Sequence, residues 1–264
     1  MVDWRAVAAA DYAVPENEDL PSLVDELARM LTSDDPVVRD ELGYSILATW
    51  IARDVLPPAE LDLLGDQMAK RFTADEIQAR TFAPLILDSV VSKGRFSQAW
   101  FDAFAAWYPN EDDLRGFDPR LGWLHAVAHG ADLLGAFGRC PQVRPELVLS
   151  VASERLTRPA AEVWRDHEDD RLGYAIALTL TRRELTEWTA VRWLDAVADS
   201  WARRGHGPPP AEVSNAAHTL RMVYILATTG VRPSGEKTPV LLSHEATVRH
   251  RLLDVLHAVS PYMW

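Results

Sequence analysis

Apolar residues recur at three- and four-residue spacing along almost the whole chain, and acidic, small or proline residues open each periodic stretch. The openings are Asp19-Leu-Pro21, Asp34-Asp35-Pro36, Pro57-Pro58-Ala59-Glu60, Thr73-Ala-Asp75-Glu76, Asp118-Pro119 and Pro208-Pro-Pro210-Ala-Glu212. Proline's fixed φ suits a first helical turn, where its missing N–H costs nothing, and carboxylates favour the positive end of a helix dipole. No alternating run of apolar and polar β-branched residues reads as a strand. The pattern predicts an all-α protein.

One opening per helix pair, near residues 34, 74, 118, 168 and 208, gives a period close to that of HEAT and armadillo repeats. An internal echo accompanies it, Glu41-Leu-Gly-Tyr-Ser-Ile-Leu-Ala48 against Arg171-Leu-Gly-Tyr-Ala-Ile-Ala-Leu178. Such repeats bury their apolar faces only by stacking. The expectation is therefore a single all-helical domain over residues 1–264, a curved stack of antiparallel helix pairs forming a HEAT/armadillo-like α-solenoid, with a closed helical bundle as the alternative. Two turn-rich loops interrupt it, at 204–210 and 229–239, and the second is long enough to act as a lid.

Within the predicted helix from Leu121 to Phe137, the only polar side chains are His125, His129 and Asp132, spaced i, i+4 and i+7 on one face. Buried unsatisfied groups cost about 1–3 kcal/mol each, so this stripe needs partners. One reading is acid/base chemistry by a histidine oriented by Asp132 or Glu168. The other is a pair of structural histidines held by neighbouring carbonyls or carboxylates. Three such side chains could also converge on a metal, but Ala126 stands where the zinc-peptidase helix carries its glutamate, and no metal is expected. Gly122, Gly130 and Gly135 point to close helix packing. Trp123 is placed to wall a pocket, while the other tryptophans read as core.

The same phase of successive helices returns further polar residues, among them Arg39, Asp40, Tyr44, Arg80 and the group Glu168, Arg171 and Tyr174. Asn215, His218, Arg221 and Tyr224 continue it. In a solenoid this phase lines the concave face. Arg80, Trp123, Glu168 and Arg171, followed by Asn215, Arg221 and Tyr224, are thus the ligand-binding candidates, with the arginines suited to an anionic group. Alternatively the arginines pair with Asp40, Asp132 and Glu168 to hold helices together.

The formal charge of −12 and pI of about 5.1 oppose nucleic acid and anionic lipid as partners. The single Cys140 forms no internal disulfide, the N-terminal stretch lacks a secretory apolar core, and no apolar run is long enough to span a membrane. A cytoplasmic location is expected. No phosphate loop, Gly-x-Ser-x-Gly elbow or Cys-x-x-Cys pair implies a cofactor. The acidic run Glu111-Asp112-Asp113 reads as solvated helix-end charge.

The stretch Gly122-Trp-Leu-His125-Ala-Val-Ala-His129-Gly-Ala-Asp132-Leu-Leu134 resembles an uncharacterised bacterial family of HEAT-like helical proteins, domain-of-unknown-function family 2785. Further matching stretches are Arg39 to Tyr44, Arg80-Thr-Phe82, Glu111-Asp-Asp-Leu-Arg115-Gly116, Glu168-Asp-Asp-Arg171-Leu172 and Asn215 to Tyr224. The resemblance implies a fold with a polar groove and assigns no reaction. Two functions compete. One is a small-molecule pocket, extending to catalysis by His125 or His129 with Asp132. The other is a noncatalytic scaffold gripping a peptide or partner protein. A deep pocket favours the first, and a long groove lined by Trp and Tyr the second. The oligomeric state is left open.

Overall fold

The computed structural model describes residues 2–203 and 207–264, and it is mostly helical. The helices are α1 (Trp4–Ala9), α2 (Leu20–Met30), α3 (Ser45–Ala52), α4 (Pro58–Arg71), α5 (Ile77–Ser92), α6 (Gln98–Trp107) and α7 (Ala126–Arg139). They continue as α8 (Pro145–Thr157), α9 (Glu168–Leu180), α10 (Glu187–Val191), α11 (Trp193–Ala202), α12 (Ala211–Thr229) and α13 (Glu245–His257). A wider π-helical stretch, Val37–Tyr44, runs directly into α3. Of the first predicted loop, residues 204–206 lie outside the described residues.

Most of the predicted openings start helices, for the anticipated reasons. Asp19 caps α2, its Oδ2 accepting the N–H of Ser22 at 3.1 Å. Pro58 stands in the first turn of α4, and Pro210 precedes α12. Asp118-Pro119 is the exception. Asp118 Oδ1 accepts the N–H groups of Arg120 and Leu121, both at 2.9 Å, and so folds a turn. That turn joins Phe117–Asp118 to Gly122–Trp123 as a small antiparallel hairpin. Gly122 has φ +73° and His125 φ +49°, both left-handed, so the helix predicted from Leu121 begins only at Ala126.

Helices α3, α5, α7, α9 and α12 pack side by side in chain order, making one layer. A second layer packs against it, in which α4 meets α5 and α6 while α8 meets α9, α11 and α12. The segments opening successive helices of the first layer start at Val37, Ile77, Ala126, Glu168 and Ala211. A contiguous apolar core runs from Trp4 to Leu256. Among the described residues no helix is long and apolar enough to cross a membrane.

The glycines of α7 mark its closest approaches. A Cβ on Gly130 would overlap the ring of Tyr108, whose hydroxyl donates to the Val127 carbonyl at 2.9 Å. A Cβ on Gly135 would rest 3.3 Å from a Leu178 methyl and 3.5 Å from Ala175. Gly130→Ala is therefore expected to destabilise the protein by about 1–3 kcal/mol. Gly135→Ala, gaining up to about 1 kcal/mol of helix propensity, should leave stability unchanged or slightly raised. Urea unfolding midpoints of the two variants provide the check, and equal effects would contradict this packing.

Candidate functional site

Glu111, just past the turn Tyr108–Asn110 that ends α6, is buried. Burial alone would raise its pKa, but hydrogen bonds from Arg80, the Asp113 N–H and Trp107 outweigh it and hold the carboxylate below its ordinary value. Arg80 donates to it through Nε at 2.6 Å and Nη2 at 3.1 Å, and Trp107 Nε1 donates at 2.8 Å. The acidic run is thus no solvated helix end, because its first member anchors the loop that follows.

That loop positions His125. The His125 N–H donates to the carbonyls of Arg115 and Gly116 at 3.1 and 3.3 Å, and the Leu124 N–H donates to Gly116 at 2.9 Å. From the other side the fully buried Arg39 donates Nη2 to the Leu121 carbonyl at 2.6 Å. Held between these clamps, His125 keeps its left-handed backbone at a cost of about 1–2 kcal/mol.

His125, His167 and His244 all take this conformation, each immediately before a helix, α7, α9 and α13 respectively. The ring of His244 pairs through Nε2 with the Leu185 carbonyl at 2.8 Å, and that of His167 through Nδ1 with Asp170 at 3.0 Å. Nε2 of His125 is buried without a hydrogen-bond partner. Its nearest acid is Oε1 of Glu168, 3.9 Å away. The ring lies against Trp123 at 4.4 Å and edge-on to His129 at 5.6 Å between centroids. Burial first, then the charge of Arg171, lowers the pKa of His125.

Glu168 opens α9 and is itself buried. Burial raises its pKa, helped by the charges of Asp166 and Asp169, while its Oε2 accepts the Asp166 N–H at 2.8 Å. Donor atoms of His125, Asp166 and Glu168 all lie within 4.8 Å of one another. Gly116 makes room for them, since a Cβ there would overlap Asp166 Oδ2 and lie 2.9 Å from Glu168 Oε1. A cavity of about 330 Å³ opens between the 112–117 and 161–166 loops, with Glu168 and Trp164 on its wall. The indole N–H of Trp164 is buried without a partner. A second cavity, of about 240 Å³, is lined by Asp40, Tyr44, Phe82, Trp123, His125 and His129.

The predicted stripe is split. His125 precedes the helix, so the helical spacing that would align it with Asp132 does not apply. His129 is buried, with Nδ1 donating to the Thr81 carbonyl at 3.0 Å, and its pKa is pushed down to about 3 by burial and the charge of Arg171. It is a neutral ring with its proton fixed on Nδ1. Asp132 turns to Arg171, which grips both its oxygens. Arg80 is committed to Glu111. Asn215, buried on α12, accepts the backbone N–H of Trp164 at 2.9 Å and donates to the Glu162 carbonyl at 3.3 Å, so it secures the cavity loop from behind. Arg221 is exposed and Tyr224 half-buried on α12, and among the described residues neither hydrogen-bonds into the cluster. The loop at 229–239 is tied by a Val231–Val240 bridge and by Tyr174, whose hydroxyl donates to the Arg232 carbonyl at 2.8 Å. Asp166 escaped the sequence reading, where the Asp166-x-Glu168 spacing was the one signal pointing to it, while Gly116 entered only within a matching stretch and Trp164 only as core.

A family profile described as protein of unknown function (DUF2785) matches residues 47–225. The chain belongs to the DUF2785 family. This is the family that the sequence stretches resemble, and the match takes in Glu111, Gly116, His125, Asp166 and Glu168. No curated protein and no solved structure matches the chain.

Beside the cluster, this DUF2785 protein carries three titratable groups close enough to influence one another, Tyr44, Asp88 and Arg171. Burial raises the pKa of Asp88 from 3.8 to about 6, against weaker opposition from a Ser92 hydrogen bond and Arg171. Between those two values the folded chain binds more protons than the unfolded one, so this residue's contribution to stability is lost as pH rises through the window. The loss is about 3 kcal/mol in all. Asp88→Asn should therefore raise the melting temperature at pH 7.5 by about 5 °C and change little at pH 4. Thermal melts at the two pH values check the sign, and an equal shift at both would contradict it.

Proposed function

We propose that this DUF2785 protein binds a small polar molecule where the N-termini of α7 and α9 meet, with His125 and Glu168 as its contacts and Trp123 as a wall. The observation that carries the reading is the buried Nε2 of His125, left without a partner while the two histidines of matching backbone conformation each have one. An unsatisfied buried group costs about 1–3 kcal/mol, which a ligand atom hydrogen-bonded there recovers. The adjoining cavity of about 330 Å³ is of small-molecule scale and supports a ligand over a scaffold role.

The charges select the ligand. Arg80 and Arg171 are engaged by Glu111 and Asp132, which argues against the anion-binding role expected of them. Among the described residues neither Asp166 nor Glu168 pairs with a lysine or arginine, so the junction favours a cationic or hydrogen-bond-donating head group. Any proton transfer at this site falls to His125, because His129 is locked to Thr81 and Asp132 to Arg171.

Ligand-observed NMR with a panel of primary amines, amino acids and nucleosides, recorded in excess chelator, tests this. Amine-bearing compounds are expected to bind, with at least tenfold weaker binding in His125→Ala and Trp123→Ala and unchanged binding in Arg221→Ala. No binding across the panel, or binding indifferent to His125, would end the proposal.

A further inference from the structure

We propose that Nε2 of His125 and the carboxylates of Asp166 and Glu168 together ligate one divalent transition-metal ion. This rests on reading the junction of α7 and α9 as a ligand site, and it names an inorganic occupant for it. The three donors come from separate stretches of chain and lie within 4.8 Å of one another, with the imidazole nitrogen 3.9 Å from Glu168 Oε1. An ion about 2.1 Å from each donor needs them roughly 3.0–3.5 Å apart, so binding would draw the three donors together by about 1 Å.

The surroundings are those of a supported ligand set. Oε2 of Glu168 is held by the Asp166 N–H, which leaves Oε1 directed toward His125. The backbone of His125 is fixed by the carbonyls of Arg115 and Gly116, and the bare Cα of Gly116 gives both carboxylates their room. Two carboxylates side by side, with no lysine or arginine paired to either among the described residues, leave negative charge that a dication neutralises. One imidazole with two carboxylates suits Zn²⁺, Mn²⁺ or Fe²⁺ better than Ca²⁺, which takes oxygen ligands throughout. Three protein ligands leave coordination positions for water or substrate. Those positions adjoin the 330 Å³ cavity, on whose wall the buried indole N–H of Trp164 has no partner of its own.

The test is calorimetric titration of the chelator-stripped full chain with Zn²⁺ and with Mn²⁺, and absorption spectroscopy with Co²⁺. One equivalent should bind, raising the melting temperature. Affinity should fall 10- to 100-fold or more in His125→Ala, Asp166→Asn and Glu168→Gln. His250→Ala, on the exposed surface of α13, should leave it unchanged. Asp166→Asn and Glu168→Gln preserve side-chain shape, so they keep the test valid should His125→Ala fold poorly. Absence of stoichiometric binding would overturn the proposal, as would wild-type affinity in all three variants, which would mark binding to surface histidines. Amine binding in chelator without any metal binding would overturn the metal site alone. Metal binding with no organic ligand would sustain it and end the previous reading.

Discussion

The half-buried ion pair between Arg80 and the buried Glu111 is the constraint on which the rest of the site depends. Glu111 accepts Nε and Nη2 from one edge of the Arg80 guanidinium, the indole N–H of Trp107 and the N–H of Asp113, while its own carbonyl accepts Nη1 of Arg155 at 2.9 Å. Breaking one partner of such a pair strands a buried charge, at a cost of about 3–5 kcal/mol. Because Glu111 sits at the root of the loop, the pair fixes where Arg115 and Gly116 present their carbonyls. Those carbonyls in turn hold His125 in its left-handed conformation ahead of α7. A structural pair in one layer interface thereby sets the aim of an imidazole in another.

Arginine serves the same purpose elsewhere in the interior. Arg39 reaches the Leu121 carbonyl, Arg155 the carbonyls of Tyr108 and Glu111, and Arg182 those of Gly138 and Cys140 at 3.0 and 2.8 Å. Arg155 and Arg182 satisfy backbone acceptors where a helix gives way to a loop, groups that helix geometry leaves without internal partners, and Arg39 does the same for the turn of the hairpin. With Arg171 drawn to Asp132, these cations are committed to the scaffold. Asp166, Glu168 and His125 are left as a polar group whose charge the scaffold does not balance, and this separates them from the buried His129, whose Nδ1 is tied to the Thr81 carbonyl.

Much of the fold was legible in the chain. The proline and acidic openings at 19–21, 57–60, 73–76 and 208–212 lead into helices because capping and first-turn preferences act over three or four residues and owe little to distant contacts. The opening at Asp118-Pro119 failed for an equally local reason, since the Asp118 side chain found two backbone donors in a turn. The polar stripe was half legible. His125 and Glu168 emerged as polar groups on apolar helices, yet the helix begins only at Ala126, so the spacing that put His125 on one face with Asp132 does not hold and Glu168 is the acid nearest it. Asp166 and Gly116 lie in loops, where no periodicity assigns a direction to a side chain.

By itself the sequence determined the helical character, the starts of several helices and the family, because all three are written in short-range patterns of residues. Only the tertiary structure decided which acid meets which base. Asp132 and Glu168 are comparable carboxylates in the chain, and Arg171 and His125 were open to either. The packing of α7 against α9, with the Glu111 loop pinned above them, gives Asp132 the guanidinium and leaves Glu168 beside the imidazole. That pairing is a property of distances between segments some 40 residues apart, which spacing along one helix does not encode.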